Sequence, residues 1–357
     1  MRVVSVVGAR PQFIKLAPIH RVLVARGHEH IIFHTGQHYD QAMSQVFFDE
    51  FDLPTPDLNL NVGSLDREAQ IDAISKGLEL PFTDIESDWI LVYGDTNSTL
   101  GAALAAERTD LPLAHLEAGV RSFNHKMPEE LNRVQTDQLS DLLLAPTKIA
   151  FKNLQNEGLA TNAHLVGDVM TDLCLMSKQR VLTKKPSMPE NWRNTDSDSY
   201  IVATVHRESN TDDGSKLREI IDYLARSSVD VRLIVHPRLR DRSKKFEIKL
   251  DSGSLKIFEP MSYLQLIYAL HHSKGLVTDS GGLQKEAFLL GVPCVTLRNE
   301  TEWPETVELG WNELDPNCNL DLEKYFSKIF NQLMLVRLVS AMRPNLLSML
   351  WKYDHDR

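Results

Sequence analysis

WILVYGDTN, residues 89–97, is a run of five apolar residues that stops abruptly in Gly94-Asp95-Thr96-Asn97. Five residues is strand length rather than helix length, and the lack of polar alternation marks a strand buried on both faces, as in a parallel sheet. Its polar tail then falls at the strand's carboxyl end, where open parallel sheets bind ligands. The same pattern recurs along the chain. VVSVV (3–7) runs into Gly8-Ala9-Arg10-Pro11, PLAHL (112–116) into Glu117-Ala118-Gly119, and IVATV (201–205) into His206-Arg207. RLIV (232–235) runs into His236-Pro237-Arg238 and LVT (276–278) into Asp279-Ser280-Gly281-Gly282.

Between these runs, and others such as EHIIF (29–33), DLLLAP (141–146), LKIF (255–258) and PCVTL (293–297), lie helix-like segments such as YLQLIYALHH (263–272). Strands alternating with helices predict a parallel sheet with crossover helices. The alternation restarts after a polar patch from Lys184 to Ser199. A chain of 357 residues exceeds what one hydrophobic core usually serves. The expectation is therefore α/β, with two doubly wound Rossmann-like domains facing a cleft. Residues 1–167 form the first and 168–345 the second, and 346–357 form a last segment.

Composition excludes several classes. A hydrophobic content of 42% and a charged content of 25% are those of a soluble globular protein. The net charge of -10 argues against a nucleic-acid or anionic-membrane partner, which calls for clustered Lys and Arg. No window approaches the roughly 18 apolar residues of a membrane span. The run Val3–Val7 is too short for a signal-peptide core and reads as a first strand. Cys174, Cys294 and Cys318 lack metal-ligand spacing and an even count, so a reducing cytoplasm is expected, and Cys174 and Cys294, in apolar settings, read as inert core residues. No pair of glycines is spaced as G-x-G and no P-loop is present, so nicotinamide and ATP chemistry lose their usual signatures. Asp196-Ser197-Asp198 mimics a metal-binding D-x-D but sits in the polar patch and reads as a solvated linker. No cofactor and no metal are called for.

Three stretches carry chemistry. In GARPQFIK (8–15), a tight turn opens a helix flanked by Arg10 and Lys15, which suits a phosphate; an ordinary strand-to-helix turn with surface cations is the plainer alternative. DSGGLQKEA (279–287) repeats the device through Ser280, Gly281 and Gly282, with Glu286 placed for a ribose hydroxyl; its plain reading is a helix cap. HLEAGVRSFNHKMPEELNR (115–133) crowds Glu117, Glu129 and Glu130 among Arg121, His125, Lys126 and Arg133. Acids and bases gathered on one loop suit proton transfer, although Glu130, Arg133 and Arg121 also suit salt bridges that only hold the loop. His206 and His236 each close a buried strand and precede an arginine, which suits a phosphate or sugar contact. His20, His28, His30, His271 and His272 lie on or beside helices and receive no role.

Taken together, GARPQFIK, HTGQHYD, VYGDTNSTL, HLEAGVRS, MPEELNR, GDVMTD, TVHRESN, HPR, EPMSYL, DSGGLQKEA and TLRNETEWPE, in order from about Met1 to Gly310, resemble the non-hydrolysing UDP-N-acetylglucosamine 2-epimerases. The resemblance implies the two-Rossmann-domain GT-B architecture, a homodimer, and interconversion of UDP-GlcNAc and UDP-ManNAc without cofactor. The C2 proton has no adjacent carbonyl, so the implied route is elimination. C1–O cleavage releases UDP, leaving a 2-acetamidoglucal, and UDP re-adds while C2 takes a proton on the opposite face. Asp95, Glu117 and Glu129 then look like acid/base groups with His206 beside them, base and acid unassigned. Arg10, Lys15, Arg207, His236, Ser280, Gly281, Gly282 and Glu286 look like UDP contacts. Gln37, His38 and Arg67 resemble a regulatory UDP-GlcNAc site, from whose pattern Tyr39 and Asp40 depart.

Three further departures stand out. The family's H-R-x-E-N appears as His206-Arg207-Glu208-Ser209-Asn210, so His206, Arg207 and Asn210 carry over and Glu208 does not. Trp303 stands where most members have arginine, as it does in a related subgroup that epimerises UDP-2,3-diacetamido-2,3-dideoxyglucuronate. The family commonly ends in a Gly-rich turn before a helix that crosses back onto the first domain, whereas no glycine follows Gly310 here. The rival readings are that uronate epimerase, a hydrolysing epimerase, a GT-B glycosyltransferase and a non-catalytic nucleotide-sugar sensor.

Overall fold

The computed structural model describes residues 1–37, 48, 50–63, 65–192 and 199–329; for Arg10 and Pro11 it describes the backbone alone. His38, Tyr39, Asp40, the Asp196–Asp198 triplet and residues 346–357 lie outside the described residues. The chain divides into two compact units, Met1–Met176 and Ser177–Arg357.

In the first unit the described residues form seven strands: β1 (Arg2–Val7), β2 (Glu29–His34), β3 (Leu58–Asn59), β4 (Trp89–Tyr93), β5 (Leu113–Leu116), β6 (Leu142–Ala145) and β7 (Ala163–Leu165). All pair in parallel in the order β3-β2-β1-β4-β5-β6-β7. Helices α1 (Arg10–Ala25), α2 (Arg67–Asp84), α3 (Asn97–Arg108), α4 (Pro128–Leu139) and α5 (Lys148–Asn156) lie between its strands, and α6 (Val169–Thr183) follows β7. Strand residues such as Val4, Val6, Ile90 and Val92 are wholly buried against Ile74, Leu78 and Phe82 of α2, which accounts for the unbroken apolar runs. Thr96 caps α3 by accepting from the Thr99 N–H, so the residue just after Asp95 fixes the turn that carries it.

In the second unit β8 (Tyr200–Thr204), β9 (Asp230–Ile234), β10 (Leu255–Phe258), β11 (Gly275–Thr278), β12 (Cys294–Thr296) and β13 (Asn312–Leu314) form a parallel sheet in the order β10-β9-β8-β11-β12-β13. Its helices are α7 (Glu208–Thr211), α8 (Gly214–Ala225), α9 (Pro237–Lys245), α10 (Tyr263–His271), α11 (Gly281–Leu290) and α12 (Pro304–Glu308). Residues 322–329 are also helical, and Phe326 is buried with Ile201, Leu233 and Val277 in the core. The strand order reverses between β1 and β4 in one sheet and between β8 and β11 in the other. These are the topological switch points at which such sheets bind ligands, and two Rossmann-like sheets are the constituents of a GT-B protein.

Candidate active site

Charged groups of the first unit gather where β4 and β5 end. Lys15, on α1 and 8% exposed, donates to Glu117 Oε2. Burial alone lowers the ammonium pKa, but Glu117, with Asp95 and Asp168 further off, raises it above its ordinary value. Gly94 makes this contact possible. Its φ of 62° lies in the left-handed region, and a Cβ there would sit 3.2 Å from both Glu117 Oε2 and Lys15 Nζ. Glu117 itself has φ 76°, strained for a side-chain-bearing residue. Gly8 is required by crowding rather than by φ, since a Cβ would fall 2.0 Å from Thr35 Oγ1. The N–H groups of Gly8 and Ala9 donate to Gln12 Oε1 at 2.8 and 3.0 Å, so these two amides are already taken within the turn. The Arg10 side chain lies outside what is described.

The three other acids of the carboxylate loop and its neighbouring strand take different positions. Arg133 pairs with Asp95 and, at 2.8 Å, with Glu130. Glu130 is 1% exposed and also accepts from Ser122 N, Ser122 Oγ and Phe123 N at 2.8, 2.9 and 3.0 Å. Burial raises its pKa, but these donors and Arg133 hold it below the ordinary carboxylate value. Glu130 therefore anchors the loop. Glu129, one residue earlier in the first turn of α4, is exposed. Arg121, with a side chain 1% exposed, bridges Asp137 at 2.7 Å and Glu157 at 2.6 Å. Both thus hold structure, as the salt-bridge alternative for the loop expects.

Of Gln37, His38 and Arg67, the structure describes Gln37 and Arg67, and both connect to the Asp95 turn. Arg67 donates to Asn132 Oδ1 at 2.6 Å, and Asn132 Nδ2 donates to the Asp95 carbonyl at 2.9 Å. Gln37 Oε1 accepts from Ser98 N and Oγ at 3.0 and 2.6 Å, at the start of α3.

In the second unit Asp279, wholly buried, accepts from the His206 and Arg207 N–H groups and from Asn210 Nδ2, and lies 3.1 Å from His206 Nδ1. Burial raises its pKa, but His206, the Arg207 N–H and Asn210 bring it below the ordinary value. The His206 and His236 rings lie 5.3 Å apart between centroids. His236 also caps α9, and Ser280 caps α11, its Oγ accepting from Leu283 N. A Cβ on Gly282 would meet nothing within 4 Å, whereas one on Gly281, the first residue of α11, would fall 3.0 Å from Glu302 Oε2. Arg207 lies 3.4 Å from Glu302, which Arg298 grips with two bonds of 2.8 and 2.9 Å. Glu286 is 6% exposed and accepts from the Tyr263 hydroxyl at 2.9 Å. Glu208, outside the family pattern, pairs with Arg238 at 3.1 Å. Trp303 Nε1 donates to the Gly281 carbonyl at 2.9 Å, and Lys285 Nζ lies 4.2 Å from the centre of its ring.

Among the described residues no group of three or more His, Cys, Asp or Glu side chains is arranged to hold a metal ion, and no helix is long and apolar enough to cross a membrane. The three cysteines are buried, and burial pushes the Cys294 thiol up to about 12. Sequence reasoning passed over Asp279, quoted only as the start of a motif, and the buried His115–Asp137 pair. The only signal was position, since both Asp279 and His115 belong to strand-end stretches.

Two parallel doubly wound units, each with its polar residues at the carboxyl ends of strands, define a two-domain Rossmann-like protein. A family model described as UDP-N-acetylglucosamine 2-epimerase matches residues 22–343. A UDP-N-acetylglucosamine 2-epimerase homolog of Methanococcus maripaludis is 47% identical over 317 residues, 88% of either chain. The UDP-2,3-diacetamido-2,3-dideoxy-D-glucuronate 2-epimerase of Pseudomonas aeruginosa is 41% identical over 321 residues, again 88% of each. The crystal structure of Methanocaldococcus jannaschii UDP-GlcNAc 2-epimerase in complex with UDP-GlcNAc and UDP superposes with a TM-score of 0.81 at 37% identity, covering 93% of both chains. The chain belongs to the UDP-N-acetylglucosamine 2-epimerase family, isomerases of sugar nucleotides.

Proposed function

We propose that this protein interconverts UDP-GlcNAc and UDP-ManNAc by anti-elimination of UDP and its re-addition to a bound 2-acetamidoglucal. The observation that carries this reading is the pair of carboxylates, Asp95 and Glu117, set at adjacent strand ends and each paired with its own cation, the half-buried Arg133 and the buried Lys15. C1–O cleavage sends the bonding pair to UDP, and the charge left at C1 makes the C2 proton removable by a carboxylate. The reverse step delivers a proton to the other face, which takes a second acid. Asp95, Glu117 and Glu129 supply these groups, shared between base and acid as one coupled set. His206 assists, oriented by Asp279.

The departing diphosphate is met by Arg10, Lys15, Arg207, His236 and the Ser280–Gly281–Gly282 turn, with Glu286 toward the ribose. Cations and a helix amino end placed where charge develops lower the barrier electrostatically. Gln37, His38 and Arg67 form a regulatory substrate site, supported by the bond from Arg67 to the Asn132 that holds Asp95. The protein acts as a homodimer in the cytoplasm, a reducing compartment that suits a chain whose three buried cysteines form no disulfide. The domains run 1–167 and 168–345.

Proton NMR of UDP-GlcNAc with the protein in deuterated water tests the reaction. Deuterium appears at C2 of both epimers, with UDP and 2-acetamidoglucal as transient species. Turnover that keeps the C2 proton, or free ManNAc as the product, refutes the reading. A second reading, epimerisation of UDP-2,3-diacetamido-2,3-dideoxyglucuronate, is favoured by Trp303 and by the 41% identity to an enzyme of that name.

A further inference from the structure

His115 is wholly buried on β5, two residues before Glu117, and each of its ring nitrogens faces an oxygen. Nδ1 lies 2.6 Å from Asp137 Oδ1, on the helix that carries Glu129, Glu130 and Arg133. Nε2 lies 2.7 Å from the carbonyl of Gly94, the residue before Asp95. A carbonyl only accepts. The other Asp137 oxygen already receives the Gly119 N–H at 3.0 Å and Arg121 at 2.7 Å, as expected of a carboxylate. Two contacts this short, each to an acceptor, require a hydrogen on both ring nitrogens. A neutral ring would set a nitrogen lone pair against one of the two oxygens, an uncompensated contact in a site closed to water.

We propose that His115, donating from both ring nitrogens, is a positioning residue for the epimerisation: it ties the Gly94–Asp95 turn to β5 and, through Asp137, to α4. The carboxylates that do the chemistry stand on these three elements, and none of them touches His115 itself. The Gly94 peptide is the point of leverage. Gly94 sits at φ 62°, and its N–H is already committed to the Leu116 carbonyl at 3.0 Å, so the His115 bond settles the carbonyl end of the same residue and with it the direction in which Asp95 leaves the strand. The groups facing the ring are Asp137 and the Gly94 carbonyl, with Arg121 and then Glu157 behind Asp137.

The proposal rests on the epimerase reading for its kinetic consequence and on hydrogen bonding alone for its spectroscopic one. Steady-state kinetics of His115→Gln, His115→Phe, Asp95→Asn and the His115→Gln/Asp95→Asn double variant measure the first. His115→Gln keeps a polar side chain but cannot donate to two oxygens on opposite sides. It is expected to lower kcat by up to about a hundredfold, the scale for misplacing a reacting group by an ångström, with KM and calorimetric UDP affinity little changed. In the Asp95→Asn background the same change is expected to cost clearly less than in the wild type, because part of the effect of His115 runs through Asp95. Independent, multiplying losses, or a loss of thermal stability with kcat intact, overturn the positioning role. Nitrogen-15 NMR of histidine-labelled wild type, assigned by loss of the signal in His115→Phe, measures the second: both nitrogens protonated at the assay pH are expected, and a neutral tautomer overturns the proposal even if no sugar nucleotide is turned over. Wild-type inactivity on both UDP-GlcNAc and the diacetamido uronate counts against the epimerase reading alone.

Discussion

Asp279 holds His206 by main chain and ring together: its Oδ2 accepts the His206 N–H at 3.0 Å, and its Oδ1 lies 3.1 Å from His206 Nδ1. The same carboxylate takes the Arg207 N–H at 2.9 Å and Asn210 Nδ2 at 3.1 Å, so one buried charge fixes the whole turn after β8. Asp279→Asn leaves a neutral amide whose NH2 must face donors. It is expected to cost about 1–3 kcal/mol of stability, the usual range for buried donors left unmatched. Urea unfolding of the variant measures this, and a loss under 1 kcal/mol, the ceiling of an exposed pair, would reduce Asp279 to a minor contact.

The same residue sets an acid limit. Asp279 and Asp137 both titrate below the ordinary aspartate value of 3.8 in the folded protein. In the window between the folded and unfolded values the unfolded chain binds the proton, so stability falls with pH there and is fully present above the unfolded value. Melting temperature from pH 6 down to pH 3 should drop steeply below about pH 4 in the wild type. The drop should be shallower in Asp137→Asn, and equal slopes would show that other groups govern the acid limit.

For the carboxylates, Asp95→Asn, Glu117→Gln and Glu129→Gln are each expected to lower kcat by about a hundredfold or more, the cost of removing a positioned acid or base, with little change in UDP affinity. Glu130→Gln differs because that side chain accepts four hydrogen bonds, among them the 2.8 Å bond from Arg133. Its loss should register chiefly in stability, by about 1–3 kcal/mol for donors left unmatched, and less in kcat. Full activity in all four variants would leave the loop a purely structural feature.

Much of this was legible in the sequence because parallel strands announce themselves as short, uninterrupted apolar runs. VVSVV, WILVY, PLAHL, IVATV and GLVT all became buried strands. The strands that escaped are Leu58–Asn59, Ala163–Leu165 and Asn312–Leu314, two or three residues each, all at sheet edges. There a single neighbour suffices and no apolar run is needed. The carboxylate loop was legible from its composition, but the division of labour within it was not. Glu129 and Glu130 are adjacent letters, yet α4 exposes one and buries the other, and only helical phase decides that. Asp279 and His206 are 73 residues apart in the chain, and no local pattern links them.

Glu117 offers a test of strain. Its φ of 76° costs a side-chain-bearing residue about 1–2 kcal/mol relative to glycine. Glu117→Gly and Glu117→Ala both remove the carboxylate and the Lys15 pair, and they differ in relief of the backbone. The glycine variant should unfold at higher denaturant than the alanine variant by about that amount, while both stay inactive. Equal stability would mean that the turn relaxes when the carboxylate is gone.

Trp303 bears on which sugar is used. Its indole N–H donates to the carbonyl of Gly281, the first residue of α11, and Lys285 stands 4.2 Å from the ring. The ring therefore pins the turn proposed to meet the diphosphate and occupies the neighbouring cation. Arginine at this position would surrender the pin and add a charge beside Arg298 and Lys285. Two variants separate these effects: Trp303→Phe keeps a flat ring and loses the N–H, whereas Trp303→Arg changes both. If charge selects between UDP-GlcNAc and the diacetamido uronate, Trp303→Arg should move the ratio of their kcat/KM values by about tenfold, equivalent to about 1.4 kcal/mol. Trp303→Phe should then leave the ratio near that of the wild type while weakening UDP binding. If the pin alone matters, both variants weaken UDP binding and neither changes the ratio. Strong turnover of the uronate by the wild type with none of UDP-GlcNAc would make the uronate the substrate and Trp303 its marker.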